Sequence, residues 1–170
     1  PVPSLPPASE LRRYGSSPPD EFSPIRRYHD YQKAMDIARK AHDATSVKQR
    51  LSFLRQALAI FPFCVDALYD WAGIYLHAID PPSPERAEET FKLALTACRL
   101  LWPDMEQQSE TDWAHVENRS ILRTYLCLGL VQKDMGKSED AIEKFQFLLR
   151  ANPNAFQRVD VPVLLFWTLL

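Results

Sequence analysis

The feature that most constrains this chain is a spacing. From Leu122 to Ala155 a 34-residue unit places Tyr125, Leu128 and Gly129 in its first half, Gly136 at its middle, Ala141 and Phe145 in its second half, and Pro153 near its end. Apolar and small residues three or four apart mark one buried face of a helix, and glycine and proline punctuate it. The unit therefore reads as helix, turn, helix. Gly129 and Ala141 let the two helices approach closely, and Tyr125 and Phe145 fill the gaps between successive pairs. Leu148 stands where a further small residue would suit. The same order recurs upstream in Leu68, Trp71, Ala72 and Tyr75, followed by Ala87, Phe91 and Ala94. A looser copy precedes it in Ala34, Ile37, Ala38, Ala41, Leu54, Ala57 and Pro62, with Arg50 where a small residue belongs. The three units span about 31–64, 65–103 and 122–155. A repeat of this length implies stacked supersecondary units that bury one continuous core.

Start and stop signals agree with that division. Residues 1–24 hold seven of the 14 prolines, too many for helix or sheet, and read as an extended or disordered leader. Ser23-Pro24 opens a first helix over about 25–43. Ser46 opens a second that stops at Pro62. A third runs over about 65–79 and ends before Pro81-Pro82. Ser83-Pro84 opens a fourth, which reaches Trp102. After a polar linker at 104–110, Thr111 or Asp112 caps a fifth that ends at Gly136. Ser138 caps a sixth, ending near Asn152-Pro153. A final helix is expected from about 161. The fold class is all-α: antiparallel hairpins over residues 25–170, about three repeats and a C-terminal helix.

The 34-residue pattern closely resembles the tetratricopeptide repeat. That resemblance implies a right-handed α-solenoid whose first helices line a concave groove. ALAIFPFCVDAL at 57–68, ENRSILR at 117–123 and LRANPN at 149–154, with the apolar tail, resemble a poorly characterised bacterial family of such repeat proteins. Its members carry a Glu-x-Arg-Pro-Tyr-x-Arg segment. Glu117, Arg119 and Arg123 match it, while Ser120 and Ile121 depart from the Pro-Tyr pair. The suppressor-of-tumorigenicity-7 family is similar in layout, more distantly. These likenesses imply a fold and no known chemistry.

Composition narrows function mostly by exclusion. The net charge is −2, without the basic excess of a dedicated nucleic-acid binder. Arg12-Arg13-Tyr14 and Arg26-Arg27-Tyr28 read as solvated loop. Three cysteines, at 64, 98 and 127, form no CxxC pair, which favours a reducing compartment, intracellular and either cytoplasmic or nuclear. The longest apolar run, Val161–Leu170, is too short to span a bilayer, so no membrane partner is expected. His42, His77 and His115 form no HxxxH pair, no glycine-rich phosphate loop is present, and no GxSxG elbow occurs. The glutamates at 85, 88 and 89 suit a helix N-terminus. No catalytic residue, metal or cofactor is expected.

Binding of a protein or peptide segment remains. In the repeat register the groove positions are Gln32, Met35, Arg39, His42 and Asp43, then Asp66, Tyr69, Gly73, Leu76 and His77, then Arg123, Leu126, Leu130, Lys133 and Asp134. Met35, Arg39, Asp66, Tyr69, His77, Arg123, Leu126 and Leu130 are the candidate contacts. Arginine suits a carboxylate and the aliphatic residues suit an apolar side chain. Asp70 stands where chaperone-tail binders of this fold need a neutral or basic residue, and a terminal carboxylate would be repelled. The expected function is a non-catalytic interaction scaffold. The alternative is an accessory domain of a larger protein whose activity lies elsewhere, since the sequence opens on Pro1 and reads as a processed form or an excised piece.

Overall fold

The computed structural model describes residues 24–101 and 116–151, with side chains at 29–101 and 119–151. Expectations for the rest of the leader, the 104–110 linker, the cap at Thr111 or Asp112, Pro153 and the helix from 161 lie outside the described residues. Among the described residues there are six helices and no strand: α1 (Pro24–Lys40), α2 (Val47–Ile60), α3 (Val65–His77), α4 (Pro84–Leu101), α5 (Val116–Asp134) and α6 (Ser138–Ala151). None is long and apolar enough to cross a membrane.

Local chemistry sets the boundaries. Ser46 caps α2 by accepting from the Gln49 N–H at 3.2 Å, which satisfies one of the helix's unpaired donors. Helix α1 stops three residues earlier than the spacing suggests. Beyond Lys40 the chain tightens into i to i+3 bonds, Ala41 to Ala38 at 2.9 Å and His42 to Arg39 at 3.0 Å. Helix α3 closes where the Ala78 N–H meets the Ile74 carbonyl, before the two prolines. The longer turn that follows is held by the Ser83 N–H on the Tyr75 carbonyl at 2.9 Å, with the Arg86 guanidinium 5.9 Å from the Tyr75 ring centre.

Gly136 ends α5 at φ +74°, a left-handed conformation that favours glycine. The Lys137 N–H reaches the Gln132 carbonyl at 2.8 Å and the Gly136 N–H the Lys133 carbonyl at 2.9 Å, the paired bonds of a Schellman cap. Ser138 is the first residue of α6 and not its cap. The Lys137 carbonyl accepts from Ala141 instead, a shift of one position.

The helices pack in consecutive pairs, α1 on α2, α3 on α4 and α5 on α6, and each pair contacts the next through α2–α3 and α4–α5. The first helices also touch, α1 with α3 and α3 with α5. One core runs through all six, with Trp71, Phe91, Tyr125 and Phe145 fully buried. Tyr125 stacks on Phe147 at 3.9 Å between ring centres, joining α5 to α6. At Gly129 those two helices approach closely. A Cβ there would stand 2.6 Å from a carbon of the buried Phe145 ring.

A polar clamp secures the next junction. Glu88 on α4 has a side chain only 5% exposed, and Lys92 lies 2.7 Å from it. Lys137, in the turn between α5 and α6, donates to its other oxygen, and Gln132 on α5 donates at 3.3 Å. Burial pushes the Glu88 carboxyl up, but the hydrogen bonds from Lys137, Lys92 and Gln132 outweigh it and hold the group at about 2.

Two outcomes are expected. Gly129→Leu should overpack the contact with Phe145 and lower stability by about 1–3 kcal/mol in thermal melts; an unchanged Tm would show that α5 and α6 do not meet there. Glu88→Gln should lose about 1.5–3 kcal/mol at neutral pH, the range for hydrogen bonds to charged groups. Because the folded-state value lies below the ordinary 4.5, the stabilisation is complete above that value and disappears as pH falls towards 2. The gap between wild type and variant should therefore close over that interval.

Candidate functional site

The helices α1, α3 and α5 share a face, and α3 occupies its middle. Its side chains follow the 3.6-residue period. Leu68, Trp71, Ala72 and Tyr75 point into the core, while Asp66, Tyr69 and Asp70 meet the flanking helices.

Asp70 is 4% exposed. Arg50, at the start of α2, places a guanidinium nitrogen 3.6 Å from one of its oxygens. His42, just past α1, places Nε2 3.2 Å from the other, at ion-pair distance but without hydrogen-bond alignment. Burial pushes the Asp70 carboxyl above its ordinary range. His42 and Arg50 oppose that, Asp66 adds to it, and Arg123 opposes it from α5.

On the other side of α3, the Ser120 hydroxyl of α5 donates to Asp66 Oδ1. Asp66 Oδ2 is buried without a hydrogen-bond partner. One turn along, the Tyr69 hydroxyl lies 3.4 Å from Cys127 Sγ, and its ring meets Phe91 edge-on at 5.7 Å. Burial, reinforced by Cys127, pushes the Tyr69 hydroxyl well up, while Arg123 draws it back.

The structure gives the candidate contacts different situations. Met35 is 4% exposed and belongs to the core, so it offers a partner no surface. Arg39 is exposed and pairs with Asp36 of its own helix at 3.3 Å, so nothing directs it towards Asp66 or Tyr69. Asp66 and Tyr69 are half-buried and engaged with α5. Leu126 and Leu130 are half-buried at the edge of the core, and His77 is exposed at the end of α3. Arg123 is exposed, and its charge acts on Tyr69, Asp70 and Cys127 together. These residues thus bring together Asp66, Tyr69, Arg123, Leu126 and Leu130, with Arg39 apart and Met35 beneath.

Asp70 is also not a carboxylate displayed to a ligand. It faces Arg50 and His42 from a buried position, so the repulsion expected from it is met within the chain. Arg50 and Ser120 are neighbours of this face that the groove register missed. Both depart from the expected pattern, Arg50 as a large charge at a small-residue position and Ser120 as one of the two residues that replace the Pro-Tyr pair.

Burial pushes the Cys64 and Cys98 thiols up to about 12 and raises that of Cys127, which keeps all three protonated and weakly nucleophilic. Among the described residues no group of three or more His, Cys, Asp or Glu side chains could hold a metal ion. Comparison of the chain with protein-family models, curated proteins and solved structures finds no match.

The buried ion pair has a measurable signature. Arg50→Ala removes a cation from the buried Asp70 and should cost about 1–3 kcal/mol at pH 7. The raised carboxyl value means that protonation relieves the penalty, so the loss should shrink at pH 4. Asp70→Asn in the same background should recover part of it. A loss of equal size at both pH values would show that Arg50 acts through its packing.

Proposed function

We propose that the chain is a non-catalytic interaction scaffold of the tetratricopeptide type, holding a segment of another protein along the face shared by α1, α3 and α5. The observation that carries this reading is the asymmetry of the packing. First helices of successive pairs touch, whereas α2–α4 and α4–α6 are not among the main packing pairs. An array with closer contacts on one side curves towards that side. The first helices then line the concave surface of a right-handed solenoid, and Tyr69, Leu126, Leu130 and Arg123 are presented from it.

The chemistry favours a segment with both acidic and apolar residues. Arg123 supplies exposed positive charge, and the half-buried aliphatic side chains beside it supply surface that gains from leaving water. Exposed charges are screened within about 8–10 Å at physiological salt, so binding should weaken as salt rises.

Arg123→Glu should reduce capture of partner proteins by the immobilised chain at least severalfold, read on the folded fraction so that any stability lost with its charge near Asp70 is separated from the loss of binding. Affinity and melting are measured on the same sample. A lowered Tm with unchanged affinity of the folded fraction would assign Arg123 to internal support and reject it as a contact.

A further inference from the structure

Three described glycines differ in what holds them in place. Gly136 supplies a positive φ, and Gly129 makes room for Phe145. Gly73 does neither. It lies within α3, where glycine is a poor helix former, and no described residue stands within 4 Å of the position its Cβ would take. The described residues give no packing reason for a missing side chain, and among them the site is partly open to solvent.

The surroundings describe what would fit. Tyr69 precedes Gly73 by one turn, and Leu76 and His77 follow it by one turn, so all three border the same opening. The contact between Tyr69 and Cys127 fixes α5 alongside. Leu130 lies one turn beyond Cys127, and Arg123 one turn before it. Tyr69, Leu76 and Leu130 are each half-buried against the core. From Arg123 to Leu130 the rise of α5 is roughly 10 Å.

We propose that Gly73 forms a notch that receives an apolar side chain of a partner protein segment, whose acidic residue is held by Arg123, roughly 10 Å along α5 from the level of Leu130. This rests on the binding face proposed above and adds the anchor point and the spacing. A distance of about 10 Å is three residues of an extended chain or seven of a helix. Charge complementarity selects an acidic residue at that spacing. The bare backbone selects a bulky side chain opposite it, as a pocket takes an anchor.

The test uses synthetic 12-residue peptides carrying Leu or Phe three or seven positions from Glu, and a matched set with Lys in place of Glu. The wild-type chain should bind the Glu set more tightly than the Lys set. Gly73→Leu, which fills the notch with a better helix former, should weaken binding at least tenfold without lowering Tm. Gly73→Ala should weaken it less. Gly73→Cys should react with a bulky maleimide as an exposed thiol does, above the wild-type background, and bound peptide should protect it.

If Arg123→Glu weakens peptide binding and Gly73→Leu does not, the notch is wrong and the binding face stands. If neither set binds the wild-type chain, both ideas fail together. Preference for the Lys set overturns the charge assignment. A thiol at 73 that stays unreactive in the free protein shows that the chain fills the notch itself and overturns the inference.

Discussion

The buried carboxylate of Asp70 sets the arrangement of the first three helices. Taken out of water alone, an ionised carboxyl is strongly destabilised, so cations must reach it or it must take up a proton. The cation Arg50 reaches it from α2, and the His42 imidazole lies against it from the end of α1. Neither could do so if α1 and α2 were rotated or shifted by a turn against α3. Dispersion and hydrophobic burial hold these helices together but tolerate sliding, since they have little direction. The ion pairs do not tolerate it, and they select one register from the several that the apolar faces would allow.

Two further ties extend that control along the array. Ser120 on Asp66 and Tyr69 on Cys127 set the register of α5 against α3. Glu88, with Lys137 and Gln132, ties α4 to α5 and to the turn that follows it. Each junction between successive pairs thus contains a polar contact as well as an apolar one. Because these pairs contact mainly their neighbours in sequence, an error at one junction displaces the pair beyond it.

Much of this was legible in the sequence, for identifiable reasons. Helix positions followed from the apolar period and from Ser46, Ser83 and Gly136, because caps act through local backbone geometry. Gly129 was legible as a small residue that lets the two helices of its hairpin approach, but Phe145, expected in the gap between pairs, turns out to be the ring that it admits within the hairpin. The misplaced features are those that depend on rotation about a helix axis or on long side chains. Met35 holds a groove position in the repeat register, yet its side chain turns into the core. Arg39 pairs along its own helix. Arg50 looked like a defect in the first unit because the pattern records size and not charge. Its reason became visible only with Asp70, twenty residues away and on another helix.

The same distinction bears on how such a face could recognise anything. On α3, residues spaced by three and four divide the surface into sectors. Trp71 and Tyr75 go to the core, Asp66 and Asp70 to the neighbours, and Gly73 and His77 towards the solvent side. The orientation of the third sector follows from the other two. A helix held only by its apolar side could rock about its axis and would present Gly73 and His77 over a range of directions. With Asp66 and Asp70 fastened on the flanks that freedom is largely removed, so a ligand need not pay for it on binding. The buried polar contacts of α3 therefore fix the direction in which that face is turned without forming part of its exposed surface.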